Sequence, residues 1–121
     1  MAAIIQDDIR NYTAEEVANI VHRAQVAARE ESERYLRDTL KGKDDMPCGF
    51  ASVEIYEVRA NSKAGKVLAA AGMRKTGGYW WWNNPGGLLV QNVHVKAEGA
   101  SAAAQVLRDY HFRAYAVDRL D

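Results

Sequence analysis

Hydrophobic and polar positions alternate with two different periods along the chain, and the change of period divides it into elements. Between Thr13 and Lys41 apolar residues recur at helical spacing, with no glycine or proline among them. Thr13 and Glu16 have the spacing of a capping box, which begins a helix. The pattern therefore predicts one long amphipathic helix over residues 13–41, ended by Gly42.

After residue 48 the pattern predicts short strands and helices. Residues 48–59 carry the β-branched and aromatic side chains typical of a strand, and 61–73 a capped, alanine-rich helix. Residues 74–84 are expected to form a strand with a glycine kink, and the turn at 83–87 joins it in a hairpin to a strand over 87–96. A helix over 97–112 and a strand over 113–121 complete the prediction.

The predicted order is a long helix followed by β-α-β-β-α-β. It indicates an α+β protein whose antiparallel sheet has the ferredoxin-like arrangement, with both later helices on one face. Residues 1–121 are expected to form a single domain, with the long helix at 13–41 and the sheet at 48–121. The other sheet face would be open, and the long helix is expected to cover part of it or to pack against another subunit.

Three consecutive tryptophans, Trp80, Trp81 and Trp82, are the most unusual feature of the sequence. Neighbouring side chains in a strand point to opposite faces, so Trp80 and Trp82 share one face and Trp81 the other. One set packs under the helices. The other set is either covered by the long helix or a second subunit, or forms a platform on which a planar ring stacks.

Composition narrows the classes of function. The 121 residues include 16 basic and 16 acidic side chains, which argues against a nucleic-acid polymer or an anionic membrane as partner. Cys48 is the single cysteine, so no intrachain disulfide forms, and the scattered histidines predict no metal site. No membrane span, signal peptide, cofactor motif or catalytic constellation is evident, which favours a cytoplasmic, non-enzymatic protein.

Cationic and amide side chains accompany the aromatic residues on the predicted strands. Guanidinium groups bind phosphate in a bidentate way, and an asparagine can hydrogen-bond a base edge. The combination predicts a pocket for a compact ligand that carries phosphate. Its candidate residues are Arg59, Arg74, Trp80, Trp82, Asn92, Lys96, Arg113 and Arg119.

Four segments of the sequence resemble a family of phage proteins. They are CGFASVEIYEV, the helix start NSKAGK, GGYWWWN and the ending RAYAVDRLD. These segments are similar to those of the Thoeris anti-defence sponges, which sequester cyclic ADP-ribose-type signals without cleaving them. Asp118 stands where that family is expected to have a small residue.

The resemblance implies a phage protein in the cytoplasm of the infected bacterium. It also implies a homo-oligomer, a dimer or a hexamer, with pockets at subunit interfaces. Within such a pocket Trp82 or a neighbour would stack on the base and Asn92 would hydrogen-bond base or ribose. Lys96 and Arg113 would pair with phosphate, and Arg119 and Asp121 would complete the pocket.

Three other functions fit the same residues. The Trp-rich face could inhibit a host enzyme by direct contact, because Trp, Tyr and Arg dominate such surfaces. An RNA-recognition module has the same order of elements but needs a basic excess. An enzyme that uses Glu54 or Glu57 as a lone base is the third alternative.

Overall fold

A computed structural model of the chain describes residues 4–121. It is an α+β structure with a long N-terminal helix and one four-stranded antiparallel sheet. A 3₁₀ turn at Ile9–Asn11 precedes the first helix, and a π-helical turn at Tyr35–Thr39 extends it. The elements are α1 Ala14–Arg34, β1 Gly49–Tyr56, α2 Lys63–Ala70, β2 Arg74–Thr76, β3 Tyr79–Asn83, α3 Val93–Asp109 and β4 Arg113–Leu120.

The sheet has the strand order β2-β3-β1-β4, with every neighbouring pair antiparallel. β1 lies at the centre, where Val53 faces Trp82 on one side and Ala116 on the other. Gly77 and Gly78 form the turn between β2 and β3. Gly77 has a φ of 45°, a left-handed conformation that costs glycine little. The predicted kink within one strand is therefore a hairpin between two strands.

The predicted capping box begins α1. The Thr13 hydroxyl accepts a hydrogen bond from the Glu16 amide, and the Glu16 carboxylate accepts one from the Thr13 amide. The α-helix ends at Arg34 and the π-helical turn continues to Thr39, close to the predicted end at Lys41. This long helix is confirmed, because its capping and its apolar stripe are both local properties of the sequence.

α1 packs against α3 and α2, while α3 packs against β1 and β4. The three helices therefore lie on the same side of the sheet. The expectation that the long helix would cover part of the other face is wrong. Its stripe of small residues lets it approach α3 closely: a Cβ on Gly99 would lie 3.1 Å from the Ala28 carbonyl oxygen. Because the apolar stripe of α1 is buried against α3, it is not available to cover the other face of the sheet.

The core lies between the sheet and these helices. Val53 and Ile55 of β1 are fully buried there, and Trp80 and Trp82 project to the same side. The Trp80 indole also donates a hydrogen bond of 2.8 Å to the Val58 carbonyl. Alternation along β3 is thus confirmed, and two of the three indoles belong to the core.

The strand predicted over residues 87–96 is wrong. Residues 88–91 have no regular secondary structure, and α3 begins at Val93 with Asn92 as its N-cap. The Asn92 side chain accepts hydrogen bonds from the His94 and Val95 amides and donates to the Asp45 and Met46 carbonyls. These contacts stabilise the helix start more strongly than the β-branched residues favour a strand.

Candidate ligand-binding groove on the open sheet face

The side of the sheet that carries no helix is here called the open face. Its side chains follow from the register, in which Tyr56 faces Tyr79 and Arg113, and Glu54 faces Trp81 and Tyr115. Phe50 and Arg119 face each other near one end of the sheet. Phe50, Tyr115 and Val117 are 44%, 46% and 39% exposed, so apolar surface is open to solvent here.

Aromatic rings cover the middle of the open face. The ring centroid of Tyr56 lies 5.4 Å from that of Tyr79 and 6.0 Å from that of Tyr115. Trp81 is half-buried between the strands, and the Arg74 guanidinium lies 5.7 Å from its ring centroid. The two distances between tyrosine ring centroids are those of packed aromatic pairs. The face is therefore an ordered aromatic surface.

A groove of about 360 Å³ runs beside Trp81. We call it the Trp81 groove. Its walls contain two aromatic rings, an amide and a guanidinium, from Phe50, Trp81, Asn83 and Arg119. A planar ring can contact the indole there, while polar groups at the rim hydrogen-bond its edge.

Two cations converge on Phe50 at the end of this groove. The Lys96 ammonium and the Arg119 guanidinium each lie 5.4 Å from the Phe50 ring centroid. The ammonium also donates a hydrogen bond of 2.9 Å to the Gly49 carbonyl. Within residues 4–121 neither cation has a carboxylate within 4.0 Å. Two cations at one ring, neither with an acidic partner, favour an anion nearby.

A second groove, of about 370 Å³, lies on the same face beside Tyr56, Arg113 and Tyr115. Here the cation is already paired, because the Arg113 guanidinium donates to the Glu57 carboxylate. The hydrogen bond between the Tyr56 hydroxyl and Glu54 raises the pKa of that phenol above its ordinary value. With the carboxylates of Glu54 and Glu57 beside one guanidinium, this groove carries an excess of negative charge and is less suited to an anion.

A larger cleft, of about 820 Å³, lies at the end of the sheet between the N-terminal 3₁₀ turn and α2. Arg59, Lys63 and His111 contribute to its lining. Asp8 lies there as well, held by Arg10, whose hydrogen bonds lower the pKa of the Asp8 carboxyl to about 2. The cleft has few aromatic side chains, so it offers little surface for stacking.

The predicted site residues are divided among several places. Trp80 and Trp82 lie in the core, which leaves Trp81 as the indole available to a ligand. Arg119 lines the Trp81 groove, Arg74 and Lys96 lie near the rings of Trp81 and Phe50, and Arg59 lies in the end cleft. The prediction that Asn92 and Lys96 share a strand face is wrong, because both belong to the first turns of α3 and Asn92 is fully buried.

Arg113 and Arg119 project to the same face of β4 with Tyr115 between them, as their spacing predicts. The Asp121 amide donates to the Cys48 carbonyl and continues that strand. The sequence prediction did not include Asn83. The available signal was its spacing from Trp81, because residues two positions apart in a strand project to the same face.

Within residues 4–121, no three His, Cys, Asp or Glu side chains are grouped as a metal site requires. No helix of that range is long and apolar enough to cross a membrane. Comparisons with protein-family models, curated proteins and solved structures found no match to the chain.

Proposed function

We propose that this protein is a non-enzymatic binding protein that holds a compact nucleotide of the cyclic ADP-ribose type in the Trp81 groove. The observation that carries the proposal is the convergence of Lys96 and Arg119 on Phe50, next to an accessible indole. A nucleotide presents a planar base and phosphate to such a surface. Its base would stack on Trp81, and its phosphates would pair with the two cations.

The polar groups of the groove fit the remainder of such a ligand. Asn83 can donate to and accept from a base edge. A cyclic nucleotide is rigid, so it loses little conformational entropy on binding a shallow groove. The balanced charge of the whole chain favours a small ligand over a nucleic-acid polymer.

The sequence resemblance gives this proposal its biological setting. We propose a phage anti-defence protein that sequesters a host immune signal in the infected bacterial cytoplasm, acting as a homo-oligomer. We also propose that the sheet belongs to the ferredoxin-like class. The strand order β2-β3-β1-β4 and the order of elements from β1 to β4 support that assignment.

Isothermal titration with cyclic ADP-ribose isomers tests the proposal. We expect saturable binding, and we expect chromatography of the denatured complex to recover the nucleotide unchanged. Loss of a charge-assisted hydrogen bond in Arg119→Ala should weaken binding roughly ten- to a hundredfold. The matched control is Arg23→Ala, an exposed arginine on α1. Absence of saturable binding for every isomer would refute the proposal, and a chemically altered nucleotide would indicate an enzyme.

A second function, inhibition of a host enzyme by direct contact, is favoured by the exposed apolar residues of the open face. Phe50, Val117 and Leu120 are 44%, 39% and 68% exposed. Val117→Asp would disrupt such an interface. A host enzyme that the wild-type protein inhibits at equal stoichiometry, and Val117→Asp does not, would support this alternative.

A further inference from the structure

The outer edge of β4 is a long strand edge without a neighbour. β4 pairs with β1 over eight residues in continuous register, and within residues 4–121 no strand pairs with its other side. The opposite edge of the sheet, β2, has only three residues. Natural proteins protect exposed edges with proline, lysine or a bulge. The β4 segment RAYAVDRL has no proline, lysine or bulge, and the Arg108 guanidinium covers one outward carbonyl, that of Ala114.

Two hydrogen bonds show which backbone groups of β4 face outward. The Asp121 amide donates to the Cys48 carbonyl over 3.0 Å, so the backbone amides and carbonyls of the odd-numbered residues are directed towards β1. The Arg108 guanidinium donates to the Ala114 carbonyl over 2.8 Å, from outside the β1 ladder. Because strand residues alternate, Ala116 and Asp118 also direct their amides and carbonyls outward. A second strand that adds to this edge must therefore form its backbone hydrogen bonds with these even-numbered residues.

The charges of β4 distinguish among the registers in which the strand could pair with a second copy of itself. Antiparallel pairing about Ala116 would place Arg113 opposite the partner's Arg119. Pairing about Asp118 would place two aspartates opposite each other. Like charges in directly opposed positions destabilise a sheet. Both of these registers are therefore unfavourable.

Pairing about Val117 places opposite charges together. Arg113 then faces the partner's Asp121, and Tyr115 faces the partner's Arg119, where a cation can lie over a ring. Ala116 and the partner's Asp118 exchange backbone hydrogen bonds, because both direct their amides and carbonyls outward. The strand is thus complementary to itself in this register.

We propose that the chain forms a two-fold symmetric dimer through its β4 edges, centred on Val117, with one continuous eight-stranded sheet. The two open faces then join, and the partner's Tyr115 lies beside Arg119 at the Trp81 groove. The inference specifies the interface of the homo-oligomer proposed above. It needs no nucleotide, so dimerisation and ligand binding are measured separately.

Disulfide trapping tests the register. Residues 117 of the two copies form a non-hydrogen-bonded pair, whose Cα atoms lie about 4.5 Å apart, within the range of a disulfide. In a Cys48→Ala background, Val117→Cys should therefore yield a covalent dimer under mild oxidation. The matched control is Tyr115→Cys, whose two copies lie four residues apart along the strands, about 13 Å. It should stay monomeric on a non-reducing gel.

Charge reversal tests the same interface without a cysteine. Asp121→Arg places two arginines opposite each other and should shift sedimentation velocity towards the monomer. Adding Arg113→Glu restores opposite charges and should restore the dimer. Neither change should unfold the protein, because Arg113 and Asp121 are both exposed and the ion pair of Arg113 is with exposed Glu57. A wild-type chain that sediments as a monomer at every concentration would overturn the proposal. Failure of the double variant, or trapping by Tyr115→Cys, would overturn the register.

Discussion

The two faces of the sheet use the same strands for different purposes. On the inward face, Val53, Ile55 and Trp80 are at most 3% exposed and pack beneath the helices. On the open face, Phe50 and Tyr115 remain nearly half exposed although a larger core could have buried them. Residue type does not separate the faces, since both carry tryptophan. The pleat assigns each indole its role.

A pair of alanine substitutions at adjacent indoles should show the largest difference between the faces. Trp80→Ala removes a buried ring and a hydrogen bond to Val58, and should lower the free energy of unfolding by about 3–5 kcal/mol. Trp81→Ala removes a half-buried ring and should cost about 1 kcal/mol. Urea denaturation measures both.

Ligand binding, unlike stability, should depend on Trp81 more than on the buried indoles. Trp81→Ala should abolish nucleotide binding in isothermal titration at a temperature where the variant is folded, whereas Trp82→Phe, which preserves most of the buried ring, should retain it. Equal losses of stability at positions 80 and 81 would contradict the division between the faces.

Asn92 tests whether a predicted ligand residue is structural. Asn92→Ala leaves the His94 and Val95 amides and two carbonyls without their partner, and should cost about 2–3 kcal/mol. Asn92→Asp keeps the acceptor for those amides and should retain part of the stability. Unchanged urea denaturation in Asn92→Ala, together with lost nucleotide binding, would restore Asn92 to the ligand site.

Local sequence patterns were sufficient for much of the fold. The capping residues Thr13 and Ser62 lie directly before α1 and α2, and each accepts the hydrogen bond that its position predicts. The alternation of Trp80, Trp81 and Trp82 is likewise local. It could not indicate which set faces the helices, because that depends on where α2 and α3 pack against the strands.

The start of α3 could not be predicted from its β-branched residues. Val93 and Val95 favour a strand, but the Asp44 carboxylate accepts hydrogen bonds from the Gln91 and Asn92 amides across 47 residues or more. Such a contact is invisible to a local pattern. A weaker signal was present, since apolar residues recur at helical spacing from Val93 to Leu107.

Contacts between residues distant in sequence also limited the prediction of the candidate site. The period of β4 placed Arg113 and Arg119 on one face correctly. Lys96 reaches Phe50, a wall residue of the Trp81 groove, from α3, and this proximity depends on the packing of α3 against β1. Residues on separate elements become neighbours only through the tertiary fold.

Gly99 measures how closely the helices of the inward side approach each other. A Cβ at this position would lie 2.4 Å from the Ser32 hydroxyl, which already donates to the Val95 carbonyl. Gly99→Ala should therefore lower the free energy of unfolding by about 1–2 kcal/mol, although alanine favours helix. Ser101→Ala, at an exposed site of α3, is the matched control and should be neutral or slightly stabilising in thermal denaturation. A more stable Gly99→Ala would contradict the close packing of α1 on α3.

The smallest effect concerns two tyrosines whose pKa values are raised for different reasons. Burial in the core raises the pKa of Tyr12, whereas the hydrogen bond to Glu54 raises that of Tyr56 on the open face. Both phenols are neutral in the native protein at pH 7. Each therefore contributes stability that is complete below the unfolded pKa near 10 and is lost as the pH rises through the folded value.

Glu54→Ala separates the two causes. It should lower the pKa of Tyr56 towards its ordinary value and leave that of Tyr12 unchanged, because only Tyr56 depends on a neighbouring carboxylate. Alkaline titration followed by NMR of the ring carbons measures both groups, with Tyr56→Phe to assign the signal. A Tyr12 that shifts with Tyr56 would mean that the faces are electrostatically coupled. An unshifted Tyr56 would mean that burial, and not Glu54, determines its pKa.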